Sequence, residues 1–527
     1  MAPLVLCVLV VLAVAAESVP PIEEINKLTF EERLTEALNY ISSNATLKAA
    51  YEEHLKAYET DPLLHASADE PFPCDLKKSS AKPTSVHKLQ PGDIDVVAAM
   101  GDSITGGNGI QAKTAIGVLT QWRGDSWSIG GDKTWVQRKT IPNFLRTVNP
   151  NLRGFSIGTG DKMNPNAHLN VAKAGATADN IPIQARMLVD RMKVEKGVDF
   201  ENDWKVITLF IGGNDICACD LSAHNPDSYK AKIMEGLDIL HAEVPRAFIN
   251  LVEVLDVSIL ADLNGGLVCA ALHIYECPCG AFPITDARRK NVQIIAKAFQ
   301  ATIAEIVGSG RYETKDDFTV VHQPFFRDTV PPVLANNEYD LSYFSPDCFH
   351  FSEKGHAGAA EALWNNMVEP VGMKRTEWRI GEPLECPTEE YPYFATAKNS
   401  GGRDGLKGVP NLLGAKSADT KSGLLGAQSV GGQNVGVKGA RVGSDAQPIG
   451  AGAQPAFHNQ QAGSENPSTG LSTTSAIILG CTLTLLVVVA LALLARKTIA
   501  ARAGRSRYER LPESPLIVAN STTPKYC

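Results

Sequence analysis

Four short apolar runs constrain the fold of this chain more than any other feature of its sequence. Each run is rich in β-branched residues and is followed by a polar or glycine-containing loop, which is typical of strands buried on both faces of a parallel sheet. Helical stretches lie between them, most clearly over 229–241 and 287–307. This alternation predicts an α/β protein built as a three-layer α/β/α sandwich, with its active site just past the strand ends. The four runs cover 96–100, 206–211, 248–252 and 318–321.

Composition divides the rest of the chain. Residues 17–90 carry helix formers and predict a helical lead-in, with helices over 25–38 and 47–58. The α/β unit is predicted over 91–395. Residues 396–475 are rich in Gly, Ala, Ser and Gln and contain almost no aromatics, so they cannot bury a core and predict a flexible stalk.

Two apolar segments predict how the chain meets the membrane. The first ends in small residues and predicts a signal peptide over 1–16. The second, 476–495, has no charge and the length of a membrane-spanning helix. Arg496 and Lys497 follow it, which predicts a cytoplasmic tail over 496–527. We therefore expect a single-pass type I protein of the plasma membrane with its catalytic domain outside. A GPI signal is the alternative, disfavoured because its apolar tail should end the chain.

The cysteines predict disulfide bonds. Of the 11 Cys, Cys7 lies in the predicted signal peptide, Cys481 in the predicted span and Cys527 in the predicted tail, which leaves eight outside. An even number in an oxidising compartment predicts four disulfides, whose pairing the sequence leaves open. The C-x-C pairs at 217/219 and 277/279 also suggest a zinc site, but their spacing is shorter than usual.

The net charge and the glycosylation sequons limit the partners and modifications that the chain is expected to have. The net charge of −8 and the lack of a basic stripe exclude a nucleic-acid partner. Nothing in the sequence predicts an obligate protein partner. Asn44 begins a glycosylation sequon on the outer side, whereas the sequon at Asn520 lies on the predicted cytoplasmic side.

Ser103 is the first candidate for chemistry. It follows the 96–100 strand in Gly101-Asp102-Ser103, so its hydroxyl is expected at the edge of the sheet. A serine hydroxyl is a weak nucleophile that needs a base. The alternative is a helix N-cap serine, since Ser is a leading cap residue.

Two histidines compete for the role of base. Asp347 lies three residues before His350, a spacing that lets the carboxylate hold one imidazole nitrogen while the other faces a serine. Glu353 lies at the same offset before His356. Spacing alone does not choose between the two pairs.

Two further residues are candidates for an oxyanion hole, the set of donors that stabilises a tetrahedral intermediate. Asn214 follows the 206–211 strand in Gly-Gly-Asn-Asp, and its side-chain amide can donate. Gly175 offers a backbone N–H with no side chain in the way of a substrate. Each also has an ordinary explanation as a turn residue.

Taken in order, these blocks resemble a known pattern. G-D-S, a glycine loop, G-x-N-D and D-x-x-H resemble the four blocks of the SGNH/GDSL hydrolase superfamily, over about residues 95–370. The resemblance implies a flavodoxin-like sandwich, Ser103 as nucleophile, and Asp347 and His350 as its partners. It also implies an oxyanion hole of the Ser103 N–H, the Gly175 N–H and the Asn214 side chain, with no metal or cofactor.

Further segments resemble the membrane-associated phospholipase B branch of that superfamily. This resemblance implies hydrolysis of acyl esters in phospholipids and lysophospholipids through an acyl-enzyme. An esterase acting on a carbohydrate or other non-lipid ester is an alternative. Arg123-Gly124-Asp125, an integrin-binding tripeptide, suggests a different class, a catalytically idle adhesion ectodomain. The segments cover 123–132, 140–143, 170–182 and 347–355.

Overall fold

The computed structural model of the protein describes part of the chain. The predicted signal peptide, the predicted span over 476–495 and the predicted tail lie outside the described residues, as does most of the predicted stalk. Within the part that is described, no helix combines the length and the apolar character needed to cross a bilayer. The described residues are 20–58, 70–220, 222–263, 266–281, 285–379 and 381–401.

A four-stranded parallel sheet forms the centre of the fold. Its strands lie side by side in chain order, and each pairs in parallel with the next. Nearly all strand residues are buried, because helices cover the sheet on both sides. All four predicted runs are strands in the structure. The strands are β1 (Ile94–Gly101), β2 (Trp204–Phe210), β3 (Ala247–Val252) and β4 (Phe318–Gln323).

The outer edge of β1 is occupied by two irregular segments. The Val97 N–H donates to the carbonyl of Arg153, and the Val171 N–H donates to that of Ala99. These segments follow β1 in sequence but lie outside it, while β2 lies on its inner side. The chain therefore reverses direction across the sheet beside β1, as in flavodoxin-like folds, where ligands bind at the point of reversal.

Twelve α-helices are found among the described residues, and the longer ones cover the sheet. The helices are α1 (Ile22–Ile25), α2 (Phe30–Ser43), α3 (Ala45–Leu55), α4 (Ser103–Gly106), α5 (Ile141–Arg146), α6 (Ile181–Met192), α7 (Gly213–Cys217), α8 (Pro226–Glu243), α9 (Gly266–Glu276), α10 (Asp286–Gly308), α11 (Glu353–Val368) and α12 (Ala397–Ser400). Helices α6, α8 and α10 pack side by side as one layer, in which the rings of Tyr229 and Phe299 stack 4.0 Å apart. Helix α11 packs against α5 and β4 in the other layer. The predicted α/β/α sandwich is confirmed.

The helical lead-in packs onto the α/β unit through a core of its own. Helix α2 begins later than predicted because Thr29 and Glu32 form a capping box, each side chain accepting the other residue's N–H. Ile25, the predicted first residue, belongs instead to the short helix α1. The buried side chains of this second core come from the lead-in, from the 112–118 loop and from α9, and include Leu34, Ala37, Ile41, Ala115, Val118, Leu272 and Tyr275.

Four disulfides join the eight cysteines that were predicted to pair. The two C-x-C motifs are linked to each other, and Cys74–Cys386 joins the end of the lead-in to the end of the α/β unit. The sulfurs of both motifs are thereby oxidised, whereas zinc binds thiolates. The bonds are Cys74–Cys386, Cys217–Cys277, Cys219–Cys279 and Cys269–Cys348.

The folded part of the chain continues into the first residues of the predicted stalk. Thr396 is fully buried, and its hydroxyl bonds to His87 Nδ1 at 2.9 Å. Ser400, at the end of α12, accepts the Val371 N–H. These contacts attach residues up to 401 to the α/β unit.

Candidate active site

Ser103 is positioned by the end of β1. It is the first residue of α4, and the N-cap of that helix is Asp102, whose carboxylate accepts the Ile104 N–H at 2.9 Å. The alternative in which Ser103 itself caps the helix is therefore wrong. Burial raises the pKa of Asp102 to about 7. At Gly101 the strands approach so closely that a Cβ would lie 2.4 Å from the carbonyl oxygen of Phe210, which excludes any side chain.

Ser103, His350 and Asp347 form a continuous chain of hydrogen bonds. Ser103 Oγ lies 2.8 Å from His350 Nε2, and His350 Nδ1 lies 2.6 Å from Asp347 Oδ2. A carboxylate only accepts, so Nδ1 carries the proton and Nε2 is free to accept from the serine. Both bonds are shielded from water, since Ser103 is 4% exposed and the other two side chains are fully buried.

The carboxylate of Asp347 is stabilised as an anion. Its other oxygen, Oδ1, accepts the backbone N–H groups of Phe349 and His350 at 3.1 and 3.0 Å. Burial acts to raise the pKa of Asp347. The attraction of the His350 imidazole and these hydrogen bonds outweigh burial, so the pKa lies below its ordinary value.

His356 and Glu353 lie apart from Ser103 and have other partners. His356 is buried, and its Nδ1 accepts the backbone N–H of Trp127 at 3.2 Å. Burial, with a smaller contribution from repulsion by His350, lowers the pKa of His356 to about 3. Glu353 binds Arg138 at 2.5 Å. The structure thus brings Asp347 and His350, the pair implied by the family resemblance, to the serine.

The predicted oxyanion residues come from the two chain segments on either side of β1. Asn214 is in α7, directly after β2, and its Nδ2 donates to the carbonyl of Ala176 at 2.9 Å. That bond uses one of the two amide hydrogens. Gly175 has a positive φ of 69°, which favours glycine, and it follows Lys173, whose N–H binds the Gly101 carbonyl beside Ser103.

A small apolar pocket of about 60 Å³ opens beside Ser103. Asp102, Ser103, Gly213 and Asn214 contribute its polar wall, and aliphatic and aromatic side chains line the remainder. A cavity of this kind suits an apolar chain attached to the group under attack. The apolar lining comprises Ile104, Phe210, Val254, Leu255, Val257, Ile259, Leu260, Phe344, Phe349 and Phe351.

The 347–350 loop, which carries the D-x-x-H block, is held in place mainly by residues that show no pattern in the sequence. Cys348 has a φ of 60° and is bonded to Cys269 of α9, and its carbonyl lies 3.1 Å from His273 Nε2. From the lead-in, His54 Nε2 lies 2.9 Å from the Pro346 carbonyl. The Phe30 ring meets the His350 ring edge-on at 5.3 Å. Only the cysteines carried a signal in the sequence, because contacts between distant segments leave no local pattern.

Two groups of described side chains have the composition of metal ligands. His54, Cys269 and Cys348 form one, but both cysteines are bonded to each other. Glu276, Asp347 and His350 form the other, in which Asp347 and His350 are already hydrogen-bonded.

The Arg-Gly-Asp tripeptide lies inside the protein. Arg123 is 1% exposed and donates to the carbonyls of Asn170 and Ala172, in the segment that leads to Gly175. Asp125 is buried and binds Arg138 at 3.0 Å. A partner protein cannot reach these side chains in the folded state, which argues against the adhesion alternative.

The fold and the site define a hydrolase of the SGNH type. The family model described as GDSL-like Lipase/Acylhydrolase matches residues 97–363, about half of the chain, and the chain belongs to that family. Among curated proteins, the chain is similar to "Phospholipase B1, membrane-associated" of Homo sapiens, at 47% identity over 337 residues. The proteins of the same name from Rattus norvegicus and Mus musculus are 44% and 45% identical over 341 residues. Each match covers 62% of this chain and 23% of the relative, so the chain spans about a quarter of the length of these relatives.

Proposed function

We propose that this protein is a serine esterase that hydrolyses the acyl esters of phospholipids and lysophospholipids. The observation that carries the proposal is the hydrogen-bond chain from Ser103 through His350 to Asp347. Two further observations support a lipid substrate: the apolar cavity beside Ser103 and the similarity to proteins named phospholipase B1. The cavity lining gives less support to a sugar ester, whose polar groups need hydrogen-bonding partners.

The first half of the reaction transfers the acyl group to the enzyme. Ser103 Oγ attacks the ester carbonyl carbon while His350 Nε2 takes the hydroxyl proton, and Asp347 stabilises the imidazolium that forms. The negative charge that develops on the carbonyl oxygen is met by the N–H groups of Ser103 and Gly175 and by the Asn214 amide. The intermediate then collapses, His350 protonates the departing alcohol oxygen, and an acyl-serine ester remains.

The second half releases the fatty acid. Water replaces the departed alcohol and gives a proton to His350 Nε2 as it attacks the acyl-serine carbonyl. The tetrahedral intermediate breaks at the bond to Ser103 Oγ, which takes the proton back from His350. His350 Nε2 thus accepts and returns the proton in both halves of the reaction.

We also propose that the enzyme acts at a membrane surface. The apolar runs at 1–16 and 476–495 support secretion followed by a single-pass type I anchor with the α/β unit outside the cell. Protease added to intact cells should then release an active fragment by cleavage within 402–475. Release by a phosphatidylinositol-specific phospholipase would instead support a GPI anchor.

The test of catalysis compares the full chain with Ser103→Ala on diacyl phosphatidylcholine, lysophosphatidylcholine and an acetylated sugar. We expect hydrolysis of the two lipids, a loss of at least about 10⁴-fold in Ser103→Ala, and labelling of the wild type at Ser103 by a fluorophosphonate. Ser156→Ala is the matched control, because it removes another buried hydroxyl, bonded to the Ala167 carbonyl. Turnover of the acetylated sugar alone would favour a non-lipid esterase, and an active, folded Ser103→Ala would refute the mechanism.

A further inference from the structure

Glu276, the last residue of α9, is a buried acid that the proposed mechanism does not use. Its side chain is 4% exposed, and neither carboxyl oxygen accepts a hydrogen bond from an N–H or O–H group of the described residues. It lies against the hydrogen-bonded pair at the site. One oxygen each from Glu276 and Asp347 and one ring nitrogen of His350 all lie within 4.8 Å of one another.

Two carboxyl groups this close inside a protein do not both carry a charge. Asp347 accepts hydrogen bonds from the His350 ring and from two backbone N–H groups, so it is the group that is stabilised as an anion. Glu276 has no such donors. Burial, reinforced by the negative charge of Asp347, raises the pKa of Glu276 well above its ordinary value. Of the two carboxyl groups, Glu276 is therefore the one that keeps its proton.

We propose that Glu276 is a positioning residue for Asp347: its carboxyl proton is directed to the Asp347 carboxylate, so that the buried site carries a single negative charge facing His350. The inference rests on the proposed function, because it assigns Glu276 a part in setting the basicity of His350. Ser103, His350, Asp347 and Glu276 then form a relay of four side chains, and Glu276 acts only through Asp347.

The expected effect on His350 has a definite sign. A proton donor beside Asp347 withdraws negative charge from the carboxylate, which stabilises the His350 imidazolium less strongly. The donor thus makes the imidazole of His350 a weaker base toward the Ser103 hydroxyl. Without the donor, the acidic limb of the pH–rate profile, where reactivity falls as the pH is lowered, moves to higher pH.

Other titratable groups face Asp347 and His350, and they are the same in every variant compared. His54 and Tyr58 of the lead-in and His273 of α9 interact with Asp347. Asp102 and His356 interact with His350. Because these groups are common to every variant, a shift of the acidic limb between variants reports on position 276.

The experiment measures the rate of fluorophosphonate labelling at Ser103 against pH in the full chain, which needs no knowledge of the natural substrate. Glu276→Met keeps the size of the side chain and removes the donor, whereas Glu276→Gln keeps an N–H donor. We expect the midpoint of the acidic limb to move to higher pH by about one unit in E276M and by less than about half a unit in E276Q. Glu313→Gln is the control. It alters another shielded acid, bonded to Thr319, and should leave the limb in place.

A second measurement does not depend on reactivity. The infrared difference spectrum of wild type minus E276Q at neutral pH should contain the carbonyl stretch of a protonated carboxylic acid. Absence of that band, or an E276M limb that coincides with the wild type, would overturn the inference. Both outcomes differ from failure of the proposed function, in which Ser103 of the wild type is not labelled at any pH.

Discussion

The two histidines that the sequence could not separate should respond to substitution in opposite ways. Replacing His350 with alanine removes the ring that contacts Ser103 Oγ at 2.8 Å. We expect turnover to fall by about 10⁴ to 10⁶-fold, since members of such a triad act as a unit. This corresponds to about 5–8 kcal/mol of lost transition-state stabilisation. The fold should survive, because the site sits at the end of the sheet and not between its layers.

Replacing His356 with alanine should cost stability instead. The Trp127 N–H would lose its acceptor, which costs about 1–3 kcal/mol in a buried position. The ring also packs against Phe351, with centroids 6.0 Å apart, and its removal leaves a small cavity worth about 1–2 kcal/mol more. The expected loss is about 2–5 kcal/mol in the free energy of unfolding, with turnover of the folded fraction within a few fold of wild type.

The assay combines steady-state hydrolysis of one soluble short-chain ester with thermal unfolding of the same samples. His356→Asn is the matched control, because an amide oxygen can accept the Trp127 N–H and should recover part of the stability. The reasoning would be refuted by a folded His356→Ala protein without activity beside an active His350→Ala protein. That result would place the base at the start of α11 and not in the D-x-x-H loop.

Three further predictions follow from the same geometry. Asn214→Ala should lower kcat by about 10² to 10³-fold with KM nearly unchanged in steady-state kinetics, whereas a change in KM alone would remove Asn214 from the oxyanion hole. Replacing Cys269 and Cys348 together by serine should cost about 2–4 kcal/mol in denaturant unfolding and lower turnover, because the bond fixes the loop between Asp347 and His350; unchanged values would contradict this. Since the pKa of His356 is lowered to about 3, its contribution to stability is complete above about pH 6.5 and declines as the pH falls toward 3. His356→Asn should therefore lose less melting temperature on acidification than the wild type, and parallel losses would count against the assignment.

The sequence by itself determined the strands of the central sheet and the class of fold, a sheet between two layers of helices. The periodicity of apolar residues is a local property, so all four predicted strands appear in the structure within two residues of their expected bounds. The short polar blocks after two of these strands predicted Ser103 and Asn214 as site residues, because the ends of parallel strands meet at one edge of a sheet, and the family resemblance added the role of Gly175. The first lead-in helix begins later than its apolar pattern predicts, because the capping box at Thr29 sets the start of α2.

Tertiary structure alone decided which groups meet. Asp347/His350 and Glu353/His356 have the same spacing, and only the path of the chain brings the first pair to Ser103 and directs Glu353 to Arg138. Burial likewise separates an adhesion motif from a structural one: the Arg123 side chain holds backbone carbonyls inside the protein.

The same is true of the cysteine pairing, of Phe30 on His350 and of Glu276 beside Asp347. These contacts join residues that are tens to hundreds of positions apart, and a one-dimensional pattern carries no record of them. Their energies depend on desolvation and on distances of a few ångströms, which exist only once the chain has folded.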